Sequence, residues 1–565
     1  MTSMEKPQPA NHLLAKLEPY WPTLLWLLFG LTVLLRLINL SRIPITADES
    51  DLALQAARIA KGQVGLASEL PIYTGLTADL FFVFGNANFW SRILPIFVGS
   101  SLVFLPNLWK DQLDFKRVLL LSLAFSLMPT VTYFSRTIAS PVFAMAALMW
   151  LISLVRLRRW VLSGIAAACL WLSGSFALPL SLLALLGLVI ARSMTSDTEK
   201  SASKPSVGKT EVLQFGSAWL VSVVLISTSF FFNPSGIGNI GIFFTTIPQL
   251  FRAWQPSELT RSAFLLLQYA LIPLVFLILA WFSFGRNSEE TKSLHIVWLM
   301  MASLCLVLSF VSAGFLLPFS ILGWALGIAM IKVEDEQVEQ KRAILLPLVI
   351  FGSALLIYVS IVAKTWANAT YNALALGLAT GAGVLLFALA HGFVGLGWSP
   401  SMAKRAALTS LTIVLLAGTL ASTFRLILAE PEKSALYWQS TNVYPDSVLN
   451  PLLSEIQKSA NFKAGELNFR ADATPSAPYE WITRDLTGLT ESQQGALPSV
   501  IITTTDKPGS IIENSFRGMV LASAETTDWS MVNLKRLVAG LFGSDLPIAK
   551  FQTYLWVEKY FFSGK

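Results

Sequence analysis

Two adjacent carboxylates, Asp48 and Glu49, sit a few residues beyond the first long apolar segment of a chain whose later apolar segments carry almost no charge. An acidic pair held where membrane meets water can take a proton from a hydroxyl, the work of a base acting on a lipid-anchored substrate. The surrounding chain is of membrane type. Its 565 residues are 54% hydrophobic and only 13% charged, with a mean hydropathy of +0.61, whereas soluble domains are about one quarter charged. Cys169 and Cys305 both fall inside apolar runs and outline neither a disulfide nor a metal framework. The net charge of +7 comes from loop lysines and arginines, without a basic stripe interleaved with aromatics, so nucleic acid is excluded as a partner.

The elements that must position this pair are bilayer-spanning helices. Apolar runs of roughly 17 to 25 residues recur from Trp21 to Leu428, with close breaks after Phe176 and at Ala313, and predict about thirteen transmembrane helices. Short cytoplasmic loops are enriched in lysine and arginine. Lys110, Lys116 and Arg117 fall in one loop and Arg156, Arg158 and Arg159 in the next on that side. Loops holding Lys200 and Lys204, then Arg286, Lys332 and Lys404, continue the alternation. The expectation is a multi-pass protein of the cell membrane, with residues 1–20 a cytoplasmic tail, 21–428 the transmembrane domain and 429–565 an extracytoplasmic α/β domain. Arg36, near the outer end of the first span, is expected to snorkel.

Residues 41–91 form a first extracytoplasmic loop too long for a simple connection. From Glu49 to Lys61, Leu52, Leu54, Ala56, Ala57, Ile59 and Ala60 interleave with Asp51, Gln55, Arg58 and Lys61, which predicts an amphipathic surface helix with Asp48 and Glu49 in its first turn. A helix dipole alone favours carboxylates there, so a plain capping role stands beside the catalytic one. In the tail, Asp446 to Ala460 has a helical period, and Ser499–Thr504 and Gly518–Ala522 look like short buried strands. Pro475, Pro478, Pro508 and Gly509 punctuate the rest, and both a separate binding module and a lid over the outer face fit this pattern.

An acidic pair opening the first outer loop, followed by a surface helix, resembles the GT-C superfamily of membrane glycosyltransferases, and within it the protein O-mannosyltransferase and lipid A aminoarabinose transferase branch. The stretch Phe84-Gly85-Asn86-Ala87-Asn88-Phe89-Trp90-Ser91-Arg92-Ile93-Leu94-Pro95 is similar to the family segment opening the second span, Thr132-Tyr133-Phe134-Ser135-Arg136 to its Ser-Arg motif, and Pro478-Tyr479-Glu480-Trp481-Ile482-Thr483-Arg484-Asp485-Leu486 to the outer domain of large prokaryotic members. The resemblance implies transfer of a sugar from a polyprenyl-phosphate carrier to a lipid, glycan or protein hydroxyl outside the cytoplasm, with Asp48 as base. It departs at Thr137-Ile138-Ala139-Ser140-Pro141, where relatives usually carry a second acid, and at Ala47-Asp48-Glu49, where they read His-Asp-Glu or Arg-x-Asp-Glu.

A lipid phosphate leaves as a stable anion and needs no general acid, so one carboxylate suffices for an inverting displacement. Charge growing on the departing phosphate calls for guanidinium. Arg92 and Arg136, with Arg252 and Arg261 behind them, are the candidates beside Asp48 and Glu49. An arginine at a helix end also snorkels to headgroups, and Phe243, Phe244, Phe251 and Trp254 between Asn233 and Arg261 fit an interfacial aromatic belt as well as a sugar or isoprenoid site. His12, His295 and His391 have no ligand-spaced partners, which leaves a divalent metal only carboxylates to bind. Gly377 to Gly383 reads as close helix packing. Two other classes remain open: a catalytically silent GT-C-like membrane protein, made credible by the missing second acid, and a lipid or sugar transporter, for which mid-membrane ionisable residues and repeated halves are lacking.

Overall fold

A computed structural model describes residues 18–63, 68–194, 208–245, 256–283, 289–329, 339–368, 372–429, 431–438, 442–443, 445–459, 468–472, 477–484, 487–488, 499–504, 506, 510–541 and 546–559. Arg252, His12, Lys200, Lys204, Phe251, Trp254, Arg286, Lys332, Pro475, Asp485, Leu486, Pro508 and Gly509 lie outside them.

Hydrocarbon offers no partner for a peptide group, so the apolar runs close their backbone bonds internally as helices. The first, α1 (Trp21–Leu37), starts with a proline in its first turn and turns Leu27, Leu31 and Leu34 outward, each more than half exposed on the protein surface. In the first loop follow α2 (Ala47–Ala60) and α3 (Pro71–Phe84). Next come α4 (Ile93–Ser101), continued by a 3-10 segment to Trp109, then α5 (Phe115–Leu127), α6 (Pro129–Arg136), α7 (Ser140–Arg156), α8 (Trp160–Trp171) and α9 (Ala177–Met194). The helical domain continues through α10 (Lys209–Ser227), α11 (Pro256–Tyr269), α12 (Leu271–Ser283), α13 (Glu289–Ser309), α14 (Leu316–Ala329), α15 (Glu339–Asn368), α16 (Ala373–Gly397) and α17 (Pro400–Phe424).

Among the described residues six helices are long and apolar enough to cross a bilayer, and nine if each of three bent pairs counts as one span. The expected number of thirteen is therefore not established, because several apolar runs break in the middle. α5 and α6 meet at 48°, α11 and α12 at 87°, and α8 meets the segment from Gly174 at 112°. The first bend follows from Pro129, which keeps Met128 extended. The sharpest follows from Gly174, which has φ +75° and whose position admits no Cβ, since one would strike the Glu69 carbonyl oxygen. Both close breaks read from sequence coincide with 3-10 turns, Gly174–Phe176 and Ala313–Phe315. Gly377 and Gly383 face Trp366 and Val359 of α15, the close packing expected of that run.

Beyond α17 come α18 (Pro431–Trp438), α19 (Pro445–Ser459) and α20 (Ala477–Ile482), with a six-stranded sheet in the order β1-β5-β6-β4-β2-β3. Its strands are β1 (Asn442–Val443), β2 (Asn468–Ala471), β3 (Thr487–Gly488), β4 (Val500–Thr503), β5 (Phe516–Thr527) and β6 (Ile548–Glu558). β2 runs parallel to β3 and β4, and the other pairs are antiparallel. β4 is buried along its length, as its apolar run implies. Gly518–Ala522 is different from the buried strand expected: it is part of a 12-residue ribbon whose Met519 and Val520 are exposed. The helix and sheet do not form a detached module. Trp481 of α20 is fully buried, stacks on Phe81 of α3 at 5.9 Å and donates its indole N–H to Asn88. Arg484 lies over the Trp481 ring and donates to the Asn86 carbonyl at 2.8 Å, and Arg58 of α2 pairs with Glu480 at 3.0 Å. The tail segment picked out by sequence is thus the part that grips the first loop.

Candidate active site

Thr46 is extended and caps α2: its hydroxyl accepts from the Glu49 N–H at 3.2 Å, while the Glu49 carboxylate accepts from the Thr46 N–H at 3.1 Å. This reciprocal box satisfies two of the free donors of the first turn. It also separates the two acids. Successive helical positions point about 100° apart, so the residue that closes the box turns inward and its neighbour does not.

Glu49 is 1% exposed and ties three segments together. Besides closing the box it accepts from the Ile138 N–H at 2.8 Å and pairs with Arg92 at 2.9 Å. Arg92, also 1% exposed, spends its remaining N–H groups on the carbonyls of Leu40, Ile43 and Pro44. With two bonds to Glu49, all five of its N–H groups are engaged, so none is left for a phosphate oxygen. Glu49 and Arg92 thus differ from the substrate-facing roles expected of them: they lock the loop onto α4 and the turn after α6.

Asp48 is exposed to solvent, although surrounding protein atoms partly desolvate its carboxyl, and among the described residues no side chain donates to it. Burial raises the affinity of its carboxyl for a proton, and the neighbouring charges of Glu49 and Asp51 raise it further. Glu69, which sequence reading overlooked, belongs to the same acidic rim: its proton affinity is raised by burial and then by Asp48 and Asp51. Its place depends on the chain path through Gly174, whose contact with the Glu69 carbonyl brings the 172–176 bend against the loop, and on the 3.1 Å bond from the Ile72 N–H to the Leu172 carbonyl. Among the described residues no group of three or more histidines, cysteines or carboxylates is arranged to hold a metal ion.

The other arginines are used differently. Arg136, 2% exposed, donates to the carbonyls of Ile38 and Leu426, at the ends of α1 and of the π-helical turn following α17. Arg36 does not snorkel: it is 1% exposed and donates to Ser100 at 2.9 Å and to the Phe125 carbonyl near the end of α5 at 3.2 Å. Helix C-termini carry unpaired carbonyls and a partial negative charge, and three of them converge here, which holds both guanidinium groups inside. Arg261 pairs with Glu258 on α11. Phe243 is buried and stacks on Trp171 at 4.1 Å, and Phe244 meets the same ring edge-on. His391 is buried with Nδ1 2.8 Å from the Phe387 carbonyl, inside its own helix.

No protein-family model matches the chain, and no curated protein matches it by sequence. Solved structures that resemble it include two of one protein. ArnT from Cupriavidus metallidurans bound to undecaprenyl phosphate superposes with a TM-score of 0.51 at 13% identity, over 89% of this chain and 97% of that one. The apo state of the same protein gives 0.49 at 13% identity, over 94% and 100%. The chain shares the fold of the first of these structures.

Proposed function

We propose that this protein is an integral membrane glycosyltransferase that passes a sugar from a polyprenyl-phosphate carrier to a hydroxyl outside the cytoplasm, with inversion at the sugar. The reading rests on one observation: in a chain folded like ArnT, the buried Glu49–Arg92 pair fixes the first turn of α2 and leaves Asp48 exposed, with no side-chain donor among the described residues. A carboxylate whose proton affinity is raised by burial and by like charges is a better base than one in water. Asp48 takes the acceptor proton as the hydroxyl oxygen attacks the anomeric carbon, and the carrier phosphate departs with the bonding pair. With all five Arg92 N–H groups engaged, the cation facing that phosphate is assigned to Arg136 or Arg261, each with an Nε that has no partner among the described residues, with Arg252 in reserve. The alternation of basic loops supports a cytoplasmic amino terminus and a sheet domain outside.

One observation favours a second reading, a catalytically silent membrane protein of the same architecture: the charges that act on Asp48 are acidic, those of Glu49 and Asp51. Purified protein incubated with labelled polyprenyl-phosphate sugars and candidate acceptors separates the two. Transfer by the parent and none by Asp48→Asn supports the enzyme. Equal transfer by both removes Asp48 from the mechanism, and no transfer with any donor favours the silent protein.

A further inference from the structure

Between α7, α9, α13 and α14 lies an apolar cavity of about 630 Å³ that reaches Arg156 at the end of α7 remote from Asp48, lined by Met145, Met149, Leu183, Met301, Cys305 and Leu322. Its volume is within the range of small-molecule sites. Smaller cavities of about 140 and 300 Å³ share Met149 and Met301 with it and extend it along the bundle. The lining suits hydrocarbon. The Ser181 hydroxyl turns back to the Ala177 carbonyl at 2.7 Å, and the Trp109 indole N–H is spent on Ser153 at 2.9 Å. Unbranched methionine side chains adapt to a flexible chain.

The mouth is basic. Arg156 ends α7, stacks over Trp109 at 4.5 Å and is steered by Asp111 and the Leu108 carbonyl. Lys110, Arg158 and Arg159 stand exposed beside it. Across residues 110–117 and 156–159 there are six cations and two carboxylates. α7 has 17 residues, so at 1.5 Å per residue this mouth lies about 25 Å from Ser140 at the Asp48 end. That separation sets it in the other leaflet from the acidic rim. Basic pockets between membrane helices hold anionic headgroups.

We propose that this cavity takes an acyl chain of an anionic phospholipid from the leaflet remote from Asp48, with the lipid phosphate resting on Lys110, Arg158 and Arg159. The site is independent of the transfer chemistry. Its test is native mass spectrometry of the full-length protein in detergent, titrated with phosphatidylglycerol and, separately, with phosphatidylcholine of the same chains. The parent retains phosphatidylglycerol in preference. Ala184→Trp, which fills the cavity wall, lowers that retention to the level of phosphatidylcholine. Arg158→Gln with Arg159→Gln, which leaves the cavity intact, weakens phosphatidylglycerol by about thirtyfold. Melting temperatures of both variants report whether they fold. Equal retention of the two lipids by the parent, or undiminished retention by a folded Ala184→Trp, overturns the proposal. Retention of polyprenyl phosphate over phosphatidylglycerol, lost in Ala184→Trp, also overturns it and gives the cavity to the carrier tail.

Discussion

Replacing Arg92 by methionine distinguishes a structural arginine from one that holds substrate phosphate. The substitution leaves the Glu49 carboxylate buried with only the Thr46 and Ile138 N–H groups as donors, and strips a donor from the Leu40, Ile43 and Pro44 carbonyls. Breaking a buried ion pair from one side costs about 3–5 kcal/mol. Each abandoned carbonyl adds a fraction of about 1 kcal/mol where water does not reach it, so the upper end of that range is expected. In a protein of this size the loss lowers the melting temperature by about 3–4 °C. Removing both charges is gentler, since the Glu49→Leu, Arg92→Met double variant buries no lone ion. The two changes should fall short of additivity by about 2–3 kcal/mol. Tryptophan fluorescence during thermal unfolding in detergent measures all four corners of the cycle. If Arg92→Met melts within about 1 °C of the parent while its apparent affinity for a polyprenyl-phosphate sugar collapses, the lock is not structural and Arg92 belongs to the phosphate.

The remaining predictions concern charge and packing around the first loop. In an active preparation the rate should rise with pH as Asp48 ionises and level off above an inflection higher than the ordinary 3.8; Asp51→Asn, by removing one of the like charges, should move that inflection down, and an unmoved profile would detach the rate from this carboxylate. Both oxygens of Asp79 are buried without a hydrogen-bond partner among the described residues, and its proton affinity is pushed up to about 6 from 3.8 by burial. The folded form therefore holds its proton more tightly than the unfolded chain, so stability from this group is present at low pH and falls between about 4 and 6. Discounted for its partial exposure, the effect is about 1–2 kcal/mol, and Asp79→Asn should melt above the parent at pH 7.5 and level with it at pH 4; the same gap at both would contradict this. Trp481→Ala empties a fully buried site against Phe81 and Asn88, at a cost of about 3–5 kcal/mol. Limited proteolysis should then release the sheet domain sooner than in the parent, and an unchanged digestion pattern would mean that other contacts hold it.

Much of the architecture is legible because the bilayer is an exacting solvent: long uncharged runs have no alternative to helix, and the breaks at Phe176 and Ala313 emerge as turns. Where a helix bends within an apolar run, hydropathy says nothing, and the crossings at Met128, Gly174 and Ala270 depend on proline, a left-handed glycine and packing. The ribbon partner β6 escaped notice because Phe551-Gln552-Thr553-Tyr554-Leu555-Trp556-Val557 is mixed in polarity and gains its place only by pairing with β5 on one side and β4 on the other. Buried arginines are hidden for a related reason, since the carbonyls that hold Arg36 and Arg136 come from helix ends distant in sequence.

The acidic pair itself carried a signal that resolves it. Thr46-Ala47-Asp48-Glu49 has the spacing of a capping box, in which the fourth residue reaches back to the first. Read that way, Glu49 is committed to the backbone before any tertiary contact forms, and its burial beside Arg92 completes what the local pattern begins. Asp48, one position earlier, has no such local partner and is the acid left facing outward. The plain capping role and the proposed catalytic role are thus divided between two neighbours: Glu49 caps, and in doing so it orients the turn from which Asp48 is proposed to act.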